Sequence, residues 1–350
     1  MIKLKIYILK YIIILFELLI FNDLINIGYK NSLISKRNLN NNQSNINYIK
    51  RKIHLIIKKL KQNKTNINTL YIKGNMRFGN YFASLNNAII FCEFSGFKRI
   101  IINNSFIKHK IFYQQYNVTI ESNNSFINQN NSIILYIGLF FSRIKFTDLG
   151  KVNRFYVFRN EIINNLPKVK ISFDDLYIYI RGGDIFNRIN KTSRFYVQPP
   201  LCFYKKIINQ FIFRKIFIIS EDISNPVSQI LLKEYPYIKY NKNDIKLDIS
   251  YLANSYNIIS ATSSFIISII KINQKLKFLW EYDFYIYSER YLHLHHSVYT
   301  FSFNYNIYKM NVSENYKKLM YPFHNSEKQR NLMIEEKCNN NFDLIPPRFS

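Results

Sequence analysis

Short apolar runs and stretches with apolar residues at helical spacing alternate along most of the chain. The first such unit is a strand at 70–72, a turn at 74–80, a helix at 81–94 and a second strand at 98–102. Apolar runs bounded by turn residues predict strands, and apolar positions three or four residues apart predict a helix. The pattern therefore predicts a β-turn-α-β unit early in the chain.

The same alternation is clearer in the second half. Strands are predicted at 176–180, 215–220, 238–240, 256–260 and 277–280, and helices at 200–209, 226–235, 248–255 and 265–270. Strands that alternate with helices indicate a parallel sheet, which binds its ligands at the carboxyl ends of the strands. We therefore expect an α/β fold with two Rossmann-like lobes that face each other across a cleft.

The chain begins with a basic flank and an apolar run. Three lysines within the first ten residues precede the apolar stretch 11–21, which only Glu17 interrupts. This order is typical of a signal or an anchor, and no small-x-small cleavage site follows it. We expect residues 1–30 to form an uncleaved hydrophobic anchor helix. A cleaved signal and an ordinary buried or interfacial helix are the alternatives.

Composition divides the rest of the chain. Residues 31–68 are rich in Asn, Lys, Ser and Gln, which predicts a stalk that holds one short amphipathic helix around 53–60. We expect one Rossmann-like lobe at 69–168 and a second lobe at 169–290. The remaining residues, 291–350, are predicted to pack on the lobes, although the pattern assigns no elements there.

The net charge of +27 raises the question of nucleic-acid binding. No basic helix with helix-turn-helix, zinc-finger or RNA-recognition spacing accompanies the charge, so we expect no nucleic-acid partner. A diffuse positive field also favours a diphosphate ligand or an anionic membrane surface.

Cysteine and histidine spacing does not predict a metal centre. Cys92, Cys202 and Cys338 lack CxxC spacing, so they indicate no zinc site and leave room for at most one disulfide. The histidines at 293, 295 and 296 have no nearby carboxylate and cysteine set, and their spacing suits a strand with two faces. We expect no metal.

Glycines and polar residues stand at three predicted strand-to-helix junctions. The first is the segment GNMRFGN at 74–80. Its glycines let the backbone approach a ligand, and the following helix start favours negative charge. The Asn80 amide can both donate and accept a hydrogen bond. An ordinary turn and cap explains the same residues.

At the second junction, the apolar strand 176–180 runs directly into Arg181, Gly182, Gly183 and Asp184. An arginine at this position can hold a pyrophosphate through two parallel hydrogen bonds and neutralise a leaving diphosphate. Lysine lacks that fork. The two glycines clear space beside the arginine. Asp184 is predicted to orient Arg181 or contact the ligand, or else to form a salt-bridged turn.

The third junction is the segment SATSSF at 260–265. Hydroxyl groups and the N–H groups of a helix start form an anion site, although Ser or Thr there can also be a simple N-cap. After strand 215–219, Ser220, Glu221 and Asp222 suit ribose or base contacts, and a helix cap explains Asp222 equally well. Asp248 is likewise predicted to face a nucleotide or to cap its helix.

The order of these junctions resembles the nucleotide-sugar fucosyltransferase superfamily, which includes protein O-fucosyltransferases and the α1,2 and α1,6 enzymes. Those families show a GxxGN-type turn, an HxRxGD-type strand end and a Ser-Ser-Phe-type segment. The matching positions are 77–80, 179–184 and 263–265, and the resemblance covers about 70–285. Tyr179 stands where these families have His, which commonly contacts the guanine nucleotide.

The resemblance implies a GT-B-like glycosyltransferase that moves a sugar, fucose from GDP-fucose, to a glycan or protein acceptor without a metal or other cofactor. Arg181 would bind the donor diphosphate and stabilise its departure, and Asn80 would lie near the reacting centre. The implied donor-binding residues are Gly79, Gly182, Gly183, Asp184, Ser220, Asp222, Thr262, Ser263, Ser264 and Phe265. The lobe at 169–290 would hold the nucleotide sugar. No general base is evident.

Two alternatives share this architecture: a transferase with another nucleotide-sugar donor, and a catalytically inactive glycan-binding protein, which the replacement of His by Tyr179 suggests. Sequons are compatible with a secretory-pathway protein, although chance supplies several in a chain this rich in Asn. They lie at Asn42, Asn63, Asn103, Asn117, Asn123, Asn130, Asn190 and Asn311. We expect a single-pass type II protein of the Golgi or ER membrane, with its catalytic part in the lumen.

Overall fold

The computed structural model describes residues 69–72, 96–102, 111–113, 117–122, 132–135, 159–187, 196–240, 242–283, 305–311, 313–338 and 341–346, with the helical positions Tyr81, Leu85, Ala88, Ile89 and Cys92. The chain divides into two compact units, Met1–Ile49 and Lys50–Ser350, and every described residue belongs to the second. The predicted anchor, stalk, glycine turn at 74–80 and histidines near 293 lie outside the described residues.

The first sheet has five strands. They are β1 (Thr69–Ile72), β2 (Arg99–Ile102), β3 (Ile111–Tyr113), β4 (Val118–Ser122) and β5 (Ser132–Leu135), in the order β3-β4-β2-β1-β5. All neighbours are parallel except β3 and β4. The five helical positions between β1 and β2 are all buried, at the spacing of one apolar helix face. The predicted β-α-β alternation is thus present at these positions.

The second sheet has seven strands. They are β6 (Asp175–Tyr179), β7 (Lys215–Ile219), β8 (Ile238–Tyr240), β9 (Asn257–Ser260), β10 (Phe278–Asp283), β11 (Asn306–Asn311) and β12 (Phe342–Ile345). The helices are α1 (Arg159–Asn164), α2 (Leu201–Gln210), α3 (Pro226–Glu234), α4 (Ile245–Asn254), α5 (Ser264–Ile272), α6 (Glu314–Met320) and α7 (Glu327–Glu335). No helix among the described residues is long and apolar enough to cross a membrane.

Strand order locates the ligand-binding edge of the second sheet. The order is β12-β11-β10-β9-β6-β7-β8, and only β12 runs antiparallel. From β8 to β11 this is the 3-2-1-4-5-6 order of a Rossmann sheet, in which the order of the strands reverses between β6 and β9. The crevice outside the carboxyl ends of β6 and β9 is therefore the expected ligand site. The mixed α/β fold with parallel sheets is confirmed.

Local chemistry explains why these elements form where they do. Every residue of β6 is buried, and a parallel strand covered on both faces reads as a continuous apolar run. The Asn225 side chain accepts a hydrogen bond from the Val227 N–H and caps α3. The Asp244 carboxylate accepts from two N–H groups at the start of α4, so this helix begins at Ile245 rather than at the predicted residue 248.

The C-terminal part adds strands β11 and β12 to the second sheet and also contains helices α6 and α7. The sequence pattern assigned none of these four elements. A disulfide joins Cys202 in α2 to Cys338 after α7, across 136 residues and with the two Cα atoms 5.5 Å apart. Cys92 is a buried free thiol. The protein therefore forms the one disulfide that its three cysteines allow. This disulfide ties α2 to the C-terminal helices.

Candidate functional site

Arg181 lies near the point, between β6 and β9, at which the strand order of the sheet reverses. It follows β6 with one residue between them, and only 9% of its surface is exposed. The Asn225 side-chain amide donates to its backbone carbonyl at 3.0 Å, and Asn225 also caps α3. The arginine backbone is therefore fixed from both β6 and the start of α3.

The guanidinium of Arg181 has three described neighbours and one buried nitrogen without a described partner. Its Nη2 donates to Asp184 Oδ1 at 2.8 Å, its Cζ lies 5.6 Å from the Tyr196 ring centre, and Tyr179 interacts with it from the end of β6. Among the described residues its buried Nε finds no hydrogen-bond partner. A buried donor without a partner carries a large free-energy penalty, so this N–H is suited to a ligand oxygen.

The guanidinium keeps its charge despite burial. Burial alone would lower the pKa of Arg181, but Tyr179 and Asp184 more than offset this effect, and the pKa is raised. The predicted pairing of Asp184 with Arg181 is thus present as an ion pair, whose carboxylate is 43% exposed. This ion pair is what both an orienting role and a salt-bridged turn predict, and contact of Asp184 with a ligand stays a prediction.

Tyr179 connects the end of β6 with the segment that follows β9, the two strands between which the strand order reverses. Its hydroxyl donates to Ser263 Oγ at 3.3 Å, and its ring centre lies 5.3 Å from that of Phe265. Burial raises the pKa of Tyr179, so the side chain is a neutral phenol at neutral pH. The second and third predicted junctions therefore lie side by side: Arg181, Tyr179 and Ser263 form one continuous cluster.

At the start of α5 the N-cap interpretation is confirmed, and the anion site stays a prediction. Ser263 Oγ accepts from the Phe265 N–H at 3.1 Å and is the N-cap, and it also receives the Tyr179 hydroxyl. Thr262 and Ser264 are partly exposed on either side of it. A helix start presents N–H groups without intrahelical acceptors and a partial positive charge, which favour an anion.

Gly182 and Gly183 pack against the loop after β7. A Cβ atom on Gly182 would lie 2.6 Å from Asp222 Oδ1 and 2.8 Å from the Asp222 carbonyl oxygen, while Gly183 has φ +64°. The Gly183 N–H donates to Asp222 Oδ1 at 2.9 Å and to Ser224 Oγ at 3.2 Å. The two glycines thus let the backbone of their loop approach the side chains of the loop after β7.

Asp222 holds this contact and does not cap α3, so the cap interpretation is wrong. Besides the Gly183 N–H, its carboxylate accepts from the backbone and hydroxyl of Ser224. Burial tends to raise the pKa of Asp222, but these hydrogen bonds hold it below its usual value. The Ser220 hydroxyl donates to the Asp222 carbonyl at 2.7 Å, and Ser220 is only 3% exposed. Both residues shape the loop beside Arg181.

The resemblance described above implies a GDP-sugar donor beside Gly182, and on that expectation Gly182→Ala should weaken GDP binding about 10-fold. Gly182 has φ −121°, which alanine tolerates, so the cost comes from the contact with Asp222 and is about 1–3 kcal/mol. Isothermal titration with GDP measures the effect.

Gly96→Ala is the matched control, because Gly96 has φ +72° but nothing within 4 Å of an added Cβ. This change should cost about 1 kcal/mol of stability through backbone strain and leave GDP affinity unchanged. Equal GDP affinities of the two variants would contradict the packing role of Gly182.

Asp248 lies in the first turn of α4 but is not its cap, because Asp244 fills that role. Asp248 is 8% exposed, and Asn243 Nδ2 donates to its Oδ1 at 3.0 Å. Burial raises the pKa of Asp248 from 3.8 to about 6. Burial raises the pKa of the Tyr240 phenol at the end of β8, and the charges of Asp222 and Asp248 raise it further.

Asp248→Asn is expected to stabilise the protein at pH 7.5 by about 2 kcal/mol. Because the pKa of Asp248 is higher in the folded state, its protonated carboxyl adds to the stability of the fold below pH 3.8. This contribution to stability is lost as the pH rises through about 6. Urea unfolding between pH 4 and 7.5 should show a flatter profile for the variant. Asp244→Asn is the control, since Asn caps equally well and the position is exposed. A gain of the same size there would contradict the burial argument.

No protein-family model matches the chain, and no curated protein matches its sequence. Solved structures do show a likeness. The chain is similar to the α-1,6-fucosyltransferase NodZ. NodZ soaked with GDP-fucose matches 63% of this chain and 96% of its own, with 10% identity and a TM-score of 0.36.

Two further NodZ structures give similar values. Se-Met NodZ from Bradyrhizobium has 9% identity and a TM-score of 0.36 over 63% of this chain and 96% of its own. NodZ co-crystallized with GDP has 7% identity and a TM-score of 0.33 over 70% of this chain and 95% of its own. At such low TM-scores the likeness to NodZ does not decide the function, and the residues of the site must.

Two predicted site residues, Gly79 and Asn80, lie outside the described residues. No group of three or more His, Cys, Asp or Glu within the described part of the chain could hold a metal ion, and independence of metal stays a prediction. Sequence reasoning missed Tyr196 beside the guanidinium, because nothing local marks a residue 15 positions after Arg181 as its neighbour. The sequence marked Tyr179 only as a departure from the family pattern.

Proposed function

We propose that this protein is a glycosyltransferase that transfers fucose from GDP-fucose to a glycan or protein acceptor. One observation carries the proposal: the charged Arg181, with a buried N–H that has no partner among the described residues, is linked through Tyr179 to the hydroxyl-rich start of α5, where the strand order reverses between β6 and β9. A guanidinium and a helix start are two independent anion-binding features. Their convergence fits a diphosphate, which needs two positive partners.

Charge development explains how this pair would promote transfer. As the bond between the sugar and the diphosphate breaks, negative charge grows on the departing phosphate oxygens. A fixed guanidinium stabilises this charge more in the transition state than in the bound donor, and so it lowers the barrier. The acceptor hydroxyl then attacks the sugar. The proton of the acceptor hydroxyl passes to water after the bond between the sugar and the diphosphate has largely broken, so the reaction needs little help from a base.

We propose that no divalent ion takes part, because Arg181 supplies the positive charge at the leaving group. We further propose that Asp222 and Asp248 face the nucleoside part of the donor from the ends of β7 and β8. Carboxylates accept hydrogen bonds from ribose hydroxyls and from the N–H edge of guanine. Gly79 and Asn80 would approach the reacting sugar from the first sheet, which in this proposal is the core of a second GT-B-like lobe.

Titration with GDP, UDP and ADP, with and without Mg²⁺ or EDTA, tests the nucleotide. Release of the nucleotide from a panel of nucleotide sugars tests the reaction. Binding of GDP without Mg²⁺ and turnover of GDP-fucose are the expected results. Turnover of a different nucleotide sugar would show that the donor is not GDP-fucose and would leave the reaction class unchanged. Binding without turnover of any donor would favour an inactive glycan-binding protein, and a failure to bind any nucleotide would contradict the proposal.

We also propose that the protein acts in the lumen of the Golgi or ER, held by the predicted anchor at 1–30. The Cys202–Cys338 disulfide supports an oxidising compartment, and the sequon residues Asn117 and Asn311 are exposed. Digestion with an N-glycosidase after expression in a secretory host should shift the mobility of the protein. Secretion of a chain that lacks residues 1–30 behind a cleavable signal, in soluble form, would support the anchor.

A further inference from the structure

The C-terminal helices hold the loop that carries Asp184. This loop continues from the short 3-10 helix Gly183–Ile185 into Phe186, whose carbonyl oxygen accepts two side-chain hydrogen bonds. Asn325 Nδ2 donates to it at 3.0 Å, and Arg330 Nη2 donates to it as well. One carbonyl two residues from Asp184 is thus fixed by groups about 140 positions later in the chain.

Asn325 and Arg330 form a rigid unit with Phe186. Arg330 Nε donates to Asn325 Oδ1 at 2.8 Å, and its guanidinium lies 5.8 Å from the centre of the Phe186 ring. Asn325 is fully buried and has φ +55°, a conformation that Asn tolerates better than most residues. Phe323 packs against Phe186 with ring centres 6.0 Å apart. These contacts allow the Phe186 carbonyl little freedom.

The same helices hold a second segment beside Arg181. Tyr196, whose ring lies against the guanidinium, begins the segment 196–200 before α2. The Tyr316 hydroxyl of α6 donates to the Gln198 carbonyl at 3.0 Å, and Tyr316 is fully buried. Both non-strand neighbours of the guanidinium, Asp184 and Tyr196, therefore belong to segments held by α6, α7 and the loop between them.

We propose that Arg330, supported by Asn325, is a positioning residue for Arg181. It touches neither the guanidinium nor, in the proposed enzyme, the donor, and it acts by fixing Phe186 and with it Asp184. Among the described contacts of the Arg181 guanidinium, the ion pair with Asp184 is the one that a shift of Phe186 would disturb first, so the guanidinium would keep its charge but could turn away from the diphosphate once Asp184 moves. Misplacement of about 1 Å can cost up to 100-fold in rate. The inference rests on the proposed function.

Arg330→Met tests the proposal, because Met keeps much of the side-chain length and removes both donors. We expect kcat for GDP-fucose turnover to fall about 10-fold and the dissociation constant of GDP to rise several-fold. Lys328→Met is the matched control: it removes one cation from an exposed position on the same helix and should change neither value. Arg330→Lys keeps the charge and one donor direction, so an intermediate kcat is expected even if the Met variant folds poorly.

A double-mutant cycle separates positioning from a general effect on folding. In the Arg181→Ala background, Arg330→Met should cause no further loss of kcat or GDP affinity, because the group that it positions is gone. Equal losses in both backgrounds would overturn the proposal, as would wild-type kcat in both Arg330 variants. If Arg181→Ala itself leaves GDP binding and turnover unchanged, the proposed role of Arg181 fails and this inference with it, whereas the proposed function fails if the wild-type protein binds no nucleotide. If Arg181→Ala is impaired while Arg330→Met is not, only the present inference fails.

Discussion

Arg181→Ala is expected to lower kcat for GDP-fucose turnover by about 100-fold to 1,000-fold, which corresponds to about 2.7–4 kcal/mol of transition-state stabilisation. The change removes the fixed positive charge that Tyr179 links to the start of α5, where the strand order reverses between β6 and β9. Arg181→Lys should recover only part of this loss, because an ammonium group cannot form two parallel hydrogen bonds to a diphosphate. Steady-state release of GDP measures both variants.

Arg214→Lys is the matched control for Arg181→Lys. The Arg214 guanidinium donates through Nε and Nη2 to the two carboxylate oxygens of buried Asp175, at 3.1 and 2.9 Å, so it too forms a two-point ion pair. It lies at the amino ends of β6 and β7, opposite the candidate site. The control should lose stability and keep its kcat. A full kcat in Arg181→Lys and Arg181→Ala would rule out the proposed mechanism.

Replacing Cys202 and Cys338 together with Ser is expected to lower the free energy of unfolding by about 2–5 kcal/mol. The disulfide closes a loop of 136 residues, and removing it lets the unfolded chain explore many more conformations. It also frees α2 from the C-terminal helices. Urea unfolding of the wild-type and double-Ser proteins, both purified under oxidising conditions, measures the difference.

Reduction supplies the internal control for this second prediction. Dithiothreitol should lower the stability of the wild-type protein to that of the double-Ser variant and leave the variant itself unchanged. Cys92 is a free thiol in both proteins and cancels in the comparison. Unchanged stability of the wild-type protein on reduction would contradict the stabilising role of the disulfide.

Local pattern predicted the second sheet well for a specific reason. Its central strands are buried on both faces, so β6 and β9 appear as short uninterrupted apolar runs between turn residues. Helix α2 follows Pro200, and α3 begins at Pro226 directly after its cap Asn225, so both starts are marked by residues that favour a helix start. The ends were less predictable. The start of α4 depends on the Asp244 side chain, which the apolar pattern does not reveal.

The candidate site was predictable only where it consists of strand ends. Parallel strands bring their carboxyl ends to one edge, so Arg181 after β6 and Ser263 after β9 could be expected to lie close together. Asp222 shows the limit of this reasoning. Whether it caps α3 or supports Gly183 depends on how two loops meet, and only the folded structure shows its contact with Gly183.

The sequence by itself determined the α/β alternation, the polar strand ends and the arginine that the proposed chemistry needs, because these follow from local preferences of a few neighbouring residues. Only the tertiary structure decided which loops surround that arginine. Tyr196, Asn325 and Arg330 act at the site through contacts across 15 to 144 residues, and no local spacing encodes such contacts. Their energies arise only when burial has brought the segments together, and the position of the guanidinium is therefore a property of the whole fold.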